Sequence, residues 1–367
     1  MSREISFKYV LLRGGAYCAL LRAREDQPPH KRMNDSAEIT SSFTGIFAPA
    51  AVDADGNTVE IDWISDEIQP VEVIDGVGHA LGVFMPATVQ EVDDGVMKSV
   101  RVEAYDRAWR VKDSNSESLL YFAAGTLYTD AVGQLLSAAG IETVFTTPSD
   151  AVLAEAREWD AGVSRLSVAN ELLREINYNP VWFDESGAAV LEPVSVPEAS
   201  AIEHTLDIGD PETMVLPEIS RETDIYGAAN VFIVTCANPD KTGNMSATAV
   251  NDNPQSPLSV SRRGRRICSH VRVDNIADQD ALQAYADRLR DESMITGETI
   301  QVATGLTPGF GPGDVVGLVY PIRAVTEDGE EIRELEPGIC IERAYDMELC
   351  VGGKMTHTME RIVYNLD

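Results

Sequence analysis

The chain has 367 residues and a hydrophobic content of 44%, enough for two to four packed domains and too apolar for a disordered polymer. Its 29 basic and 60 acidic residues leave a net charge of −31, which argues for solubility or adaptation to salt and against nucleic-acid backbone as the main partner. Cys18, Cys236, Cys268, Cys340 and Cys350 are scattered with no Cys-x-x-Cys, and no apolar run reaches the length of a spanning helix. Reduced thiols, no zinc knuckle and no membrane anchor are expected.

Strand signals dominate to about Lys112. Arg3 and Lys8 precede Tyr9–Leu12 in the manner of a signal peptide, but Arg13 cuts the apolar run short. Gly14-Gly15 reads as a turn between strands Phe7–Leu12 and Tyr17–Arg22. Gln27–Lys31 reads as a loop, Ala37–Phe47 as a mixed strand, and Ala54–Asn57 as a turn before a strand at Val59–Trp63. From Ile61 to Val111, Asp75-Gly76 and Asp94-Gly95 punctuate apolar runs. Val96, Val100, Val102 and Ala104 then fall mostly on alternate positions. That pattern predicts an antiparallel meander within a closed or nearly closed barrel.

The character changes at Asp113. Thr126 is placed to cap a helix carrying Leu127, Ala131, Val132, Leu135, Leu136 and Ala139, with Gly140 at its left-handed end. A second helix starts near Ser164, with Leu166, Ala169, Leu172, Leu173 and Ile176 on one face and Asn179-Pro180 as its stop. Propensity alone favours helix at Asp150–Trp159. Val181–Asp184 and Ala188–Leu191 flank Glu185-Ser186-Gly187 as a hairpin. Residues 113–202 thus read as a small α/β insert.

Strands return at His204–Ile208 and Ala229–Val234. Asn238–Pro257 reads as a long loop and Ile267–Val273 as a short strand. Asp278 caps a helix whose apolar face is Ala281, Leu282, Tyr285, Ala286 and Leu289. Strands follow at Thr299–Val302, Val315–Tyr320, Gly338–Tyr345, Asp346–Val351 and Lys354–Tyr364.

No nucleophile elbow, His-Glu-x-x-His or Walker motif occurs. Asp93-Asp94, Asp184-Glu185 and Glu330-Glu331 sit beside turn residues and read as surface turns rather than catalytic pairs. Gly309-x-Gly311-x-Gly313 lacks a following helix, and Pro312 lacks an amide donor, so it reads as a turn and not as a phosphate loop. Neither metal nor cofactor is expected. The basic cluster Arg262, Arg263, Arg265 and Arg266 is the candidate interface, read as a contact with an acidic surface, its own or a neighbour's. Sequence-specific nucleic-acid binding is not expected.

Several stretches together resemble the tail hub, or baseplate hub, proteins of tailed phages and related modules of contractile injection machines. Ile61-Asp62-Trp63 through Pro70, Asp75-Gly76, Leu81–Phe84 and Glu103–Arg107 are similar to the family's first barrel. Ala124-Gly125-Thr126, Leu135-Leu136, Ala139–Ile141, Leu172-Leu173, Ile176–Tyr178 and Trp182–Gly187 are similar to its second domain. Ala229-Asn230-Val231, Pro254–Ser259, Gln279–Asp291 and Pro308–Val316 resemble its later part.

The resemblance implies a mainly β fold with α/β inserts and two tail-tube-like antiparallel β-barrels. These are expected at 1–112 and at 203–236 with 296–367, and the two smaller domains at 113–202 and 237–295. It also implies a non-enzymatic virion protein of the tail tip, assembled in the host cytoplasm. A homotrimer around the DNA channel in the assembled particle would join the six-fold tube to the three-fold tip. A distal tail protein or the tail tube would lie above it and tip or receptor-binding proteins below, with the tape measure protein as a further neighbour. Three copies carry 3 × −31 = −93, and an acidic lumen that repels passing phosphates is expected, with the arginines off it. The competing classes are a soluble β-rich lytic or carbohydrate-active enzyme and a receptor-binding or decoration protein. The arginine cluster is not a feature that the resemblance assigns.

Overall fold

The computed structural model describes residues 4–93, 95, 97–194, 199–222, 228–236, 245–254, 256, 258–273, 279–325 and 331–362. The fold is mainly β, as expected, with a few helices between strands. It divides into two compact units. One holds Met1–Val196, Thr304–Gly313 and Arg343–Thr356; the other holds Pro197–Ala303, Asp314–Glu342 and His357–Asp367.

In the first unit, Ile5–Arg13 turns through Gly14-Gly15 into Ala16–Leu21 and pairs on its other side with Glu67–Ile74. At the next turn both Asp75 and Gly76 take positive φ, 49° and 86°. This is the two-residue geometry that matches strand twist, and it returns the chain antiparallel along Val77–Ala80. Phe84–Asp93 and Lys98–Asp106 form the expected hairpin; Asp94 and Val96 lie outside the described residues. Lys98–Asp106 pairs with Ser41–Phe47. The circuit of strands closes where Ala23 bridges Phe47, with Arg24 N–H donating to Ile46 O and Ala48 N–H to Arg22 O, both at 2.9 Å. Tyr9, Phe43, Phe47 and Phe84 fill the inside, with Phe43 and Phe84 stacked at 5.5 Å.

Three local expectations are corrected here. His30–Asn34 is a strand, not the tail of a loop, because Ala344–Glu348 pairs with it from the far end of the sequence. The strand block read over 1–112 therefore takes a further strand from 344–348. Beyond Thr58–Val59 the chain leaves the sheet, and Asp62 and Asp66 accept local backbone hydrogens to make a turn. Ala108–Asp113 is helical, since Ala108 and Val111 point together into the neighbouring core.

That core is the α/β region. Helices Tyr128–Ala138 and Arg165–Glu175 bury Leu135, Leu136, Leu166, Leu172 and Leu173. Val144–Thr146 runs parallel to Ala189–Leu191, which pairs antiparallel with Trp182–Phe183. Gly140 ends the first helix at φ 80° as expected, but the cap is Leu127, not Thr126. The second helix stops before Asn179-Pro180, at Ile176, because Asn177 turns left-handed at φ 60°. Asp150–Trp159 is not a helix. Arg157–Trp159 is a strand on Leu120–Phe122, held by Arg157 and Trp159 bonds to Glu171 of the helix.

In the second unit, His204–Asp207 lies parallel to Val315–Val325, and the latter pairs antiparallel with residues 331–341 of the long strand Glu331–Glu348, which counts with the first unit from Arg343 onward. That single strand replaces the two expected at 338–345 and 346–351. Val215–Glu222, Thr296–Gly305 and Lys354–Ile362 continue the sheet order beside it. Gly309 and Gly313, which belong to the first unit, take positive φ in a turn region before Val315, as read.

Val231–Cys236 leaves this sheet. It pairs antiparallel with Met245–Val250 and parallel with Cys268–Val273, and helix Gln279–Ile295 covers one face. The expected loop at 238–257 thus contains a strand. Ala247 and Ala249 are buried and Ser246 and Thr248 exposed, an alternation muted by small residues. Residues 237–244, 255, 257, the cap Asp278, Glu330 and Tyr364 lie outside the described residues, as do the side chains of Ala281 and Ile362.

Candidate functional site

The arginine cluster sits in this helix-backed module. Val260–Arg263 forms one helical turn. Ser259 caps it by accepting the Arg262 amide hydrogen at 3.3 Å, and Gly264 ends it in the left-handed conformation at φ 62°. A cap and a stop five residues apart force a compact bend, so Arg262, Arg265 and Arg266 all come out exposed. Arg263 turns back and donates to Ala228 O at 2.6 Å. The side chains of the other three make no ion pair with a described residue. The sequence-predicted cluster is therefore brought together in three of its four members.

A buried polar network pins the bend from beneath. Asn230 donates through Nδ2 to Leu258 O at 3.1 Å and Arg265 O at 3.0 Å, and its Oδ1 accepts from Ile267 N–H at 2.7 Å. Asn251 Nδ2 donates to Ser256 Oγ at 3.0 Å, and Ser259 Oγ donates to Ser256 O at 2.9 Å. Asn230, Asn251, Ser256 and Ser259 are all 1% exposed or less. Buried polar groups of this kind are stable only when their bonds are made, so the geometry of the loop is fixed by them. Sequence reading gives these four residues no bracing role, since Asn230 falls within a strand and Asn251 and Ser256 within an Asn- and Ser-rich segment that looks like solvated loop. The Ser259-to-Gly264 spacing was the available signal. The platform continues along the outward face of Cys268–Val273, where His270 and Arg272 are exposed.

Elsewhere in the second unit a carboxylate and an imidazole meet away from solvent. His357 Nδ1 lies 2.8 Å from Glu342 Oε2, both side chains fully buried, and His204 lies 3.3 Å from Asp314. Burial pushes the Glu342 carboxyl up, against the His357 bond that lowers it. With no exposed face, this pair has the surroundings of a core contact rather than of an acid and base facing substrate. Of the acid pairs, Asp184 accepts from Ser186 and Ala188 N–H, and Asp93 from Gly95 N–H; both build turns, as read. Among the described residues no group of three His, Cys, Asp or Glu side chains is placed to hold a metal ion.

No protein-family model and no curated protein matches the sequence. Solved structures match it along almost its whole length. A tail protein from Neisseria meningitidis MC58 superposes with a TM-score of 0.66 at 14% identity, covering 97% of this chain and 96% of that one. The 43 kDa tail protein of prophage MuSo2 from Shewanella oneidensis gives 0.64 at 12% identity, with 97% and 98% covered. The chain has the fold of a phage tail protein. The same tail-protein fold is shared, at a TM-score of 0.50, 10% identity and coverages of 99% and 77%, with the Escherichia coli c3393 protein, a type VI secretion component similar to T4 tail proteins gp27 and gp5.

Proposed function

We propose that this chain is a structural hub of a phage tail. In this reading three copies close a ring around the DNA channel and join a six-fold tube to a three-fold tip. A distal tail protein or the tube lies above, tip or receptor-binding proteins lie below, and the tape measure protein is a further neighbour. The observation that carries the reading is end-to-end likeness to tail proteins, 97% of one chain on 96% of the other.

The strand circuit of the first unit is consistent with one tube-like barrel. The sheet built from 204–222, 296–305, 315–342 and 354–362 is consistent with a second. The role is non-enzymatic and the lumen acidic, so that DNA phosphates meet repulsion rather than sites of counterion release. A reconstruction of a tail carrying this chain tests the reading. Three copies around an axis, with acidic side chains facing the channel on balance, are expected. Six copies per ring, or a single copy, overturn the ring. Turnover of peptidoglycan or a sugar polymer by the purified chain, lost on changing one acidic residue, replaces the structural role with a lytic one.

A further inference from the structure

We propose that the bend at residues 259–266 is the contact through which one copy of this chain grips carboxylates on a second copy; the inference rests on the ring reading above. The first support is geometric. Exposed arginines are usually mobile, and ordering them on binding costs side-chain entropy. Here the backbone beneath Arg262, Arg265 and Arg266 is already fixed by four buried polar side chains, with Asn230 alone bonding Leu258, Arg265 and Ile267. The guanidiniums point outward and find no partner among the described residues. A loop braced from within by these bonds and presenting three outward guanidiniums is pre-organised for planar, two-toothed acceptors.

The second support is charge. Each copy carries −31, so two copies repel at long range. At physiological salt that repulsion fades beyond about 8 Å, and at contact the local charges decide. Association therefore needs a place where the sign reverses. The three exposed arginines of the bend are such a place, and the 60 acidic residues of the facing copy supply the complement. Carboxylate is favoured over phosphate as the acceptor. Three arginine contacts to DNA would give a salt slope of only about −2.7 and weak binding, which the charge of the whole chain would oppose further.

The test is sedimentation of the full chain from dilute to near-millimolar concentration in 50 and 150 mM NaCl. Four forms are compared: the natural chain; Arg262→Ala with Arg265→Ala and Arg266→Ala; the same three positions changed to Lys; and Lys8→Ala with Arg101→Ala and Lys354→Ala. The last removes three exposed positive charges from elsewhere. The natural chain is expected to assemble up to trimers. The arginine-to-alanine form should lose on the order of ten-fold in association constant, as three surface ion pairs of modest strength imply. The lysine form should fall between, and the control within about two-fold of the natural chain.

None of the altered arginine side chains has an ion-pair partner among the described residues, so the variants test contact rather than folding. If the alanine form assembles as well as the natural chain, the inference is overturned and the ring stands. If the control loses as much as the alanine form, net charge and not this loop is responsible, and the inference again falls. A natural chain that stays monomeric throughout overturns the inference alone, because the ring is decided in the assembled tail. Binding of a duplex oligonucleotide that disappears in the alanine form overturns it in favour of nucleic acid.

Discussion

Two buried charges in the first unit make its stability a function of pH. Asp106 is 2% exposed and accepts the amide hydrogens of Ser41 and Ala108 at 2.8 and 2.9 Å. Burial nevertheless pushes its carboxyl up, from 3.8 to about 7. Lys31, 5% exposed beneath the Tyr345 ring, is pushed down by burial from 10.5 to about 8. A raised carboxyl favours the fold fully below 3.8 and loses that contribution as pH rises through about 7. A depressed amine contributes fully above 10.5 and loses it as pH falls through about 8. Between those two folded values both groups are charged and their combined contribution is lowest. Urea midpoints at pH 5, 7.5 and 10 should thus dip in the middle. Asp106→Asn should flatten the acid side, while weakening the fold by about 1–3 kcal/mol because one amide hydrogen then faces an NH2 group. Lys31→Met should flatten the alkaline side. A natural profile with no dip, or one unchanged by either substitution, contradicts this assignment.

The elements differ in how far local pattern determines them. Helices Tyr128–Ala138 and Arg165–Glu175 were readable because their leucines recur with helical spacing and stay wholly buried. Arg157–Trp159 was not, since its partners are Glu171 on a later helix and Leu120–Phe122 on an earlier strand. Local propensity for helix loses to those tertiary bonds. Met245–Val250 was hidden because alanine, serine and threonine give a faint alternation. The arginines themselves were legible, but not what holds them. Asn230→Ala checks that wiring. It removes three hydrogen bonds made by a buried side chain and should cost about 3 kcal/mol within the module. Amide exchange at Ile267, whose hydrogen Asn230 accepts, should accelerate far more than at Leu172 in the α/β core. Equal acceleration at both would mean that the bend is not separately braced.

For the whole molecule, the units are not continuous segments. The first unit includes Arg343–Thr356, whose strand pairs with His30–Asn34 and whose Leu349 carbonyl accepts the buried Tyr9 hydroxyl at 3.1 Å. A fragment of residues 1–196 alone lacks both contacts and should unfold at lower denaturant than the same unit in the full chain. Adding a peptide of residues 343–356 should raise its midpoint in a concentration-dependent way. No response to the peptide would mean that the late strand is dispensable.

The late arrival of that strand sets a timetable for biosynthesis. A ribosome adding about 5–20 residues per second needs on the order of tens of seconds between residue 34 and Ala344. Throughout that interval the outer edge of His30–Asn34 waits without its neighbour, a template for wrong pairing with nascent chains on the same message. Completion of the first unit therefore waits until residues 343–356 have been made. A polypeptide released early, by a stop codon or a stalled ribosome, leaves that edge uncapped and open to wrong pairing.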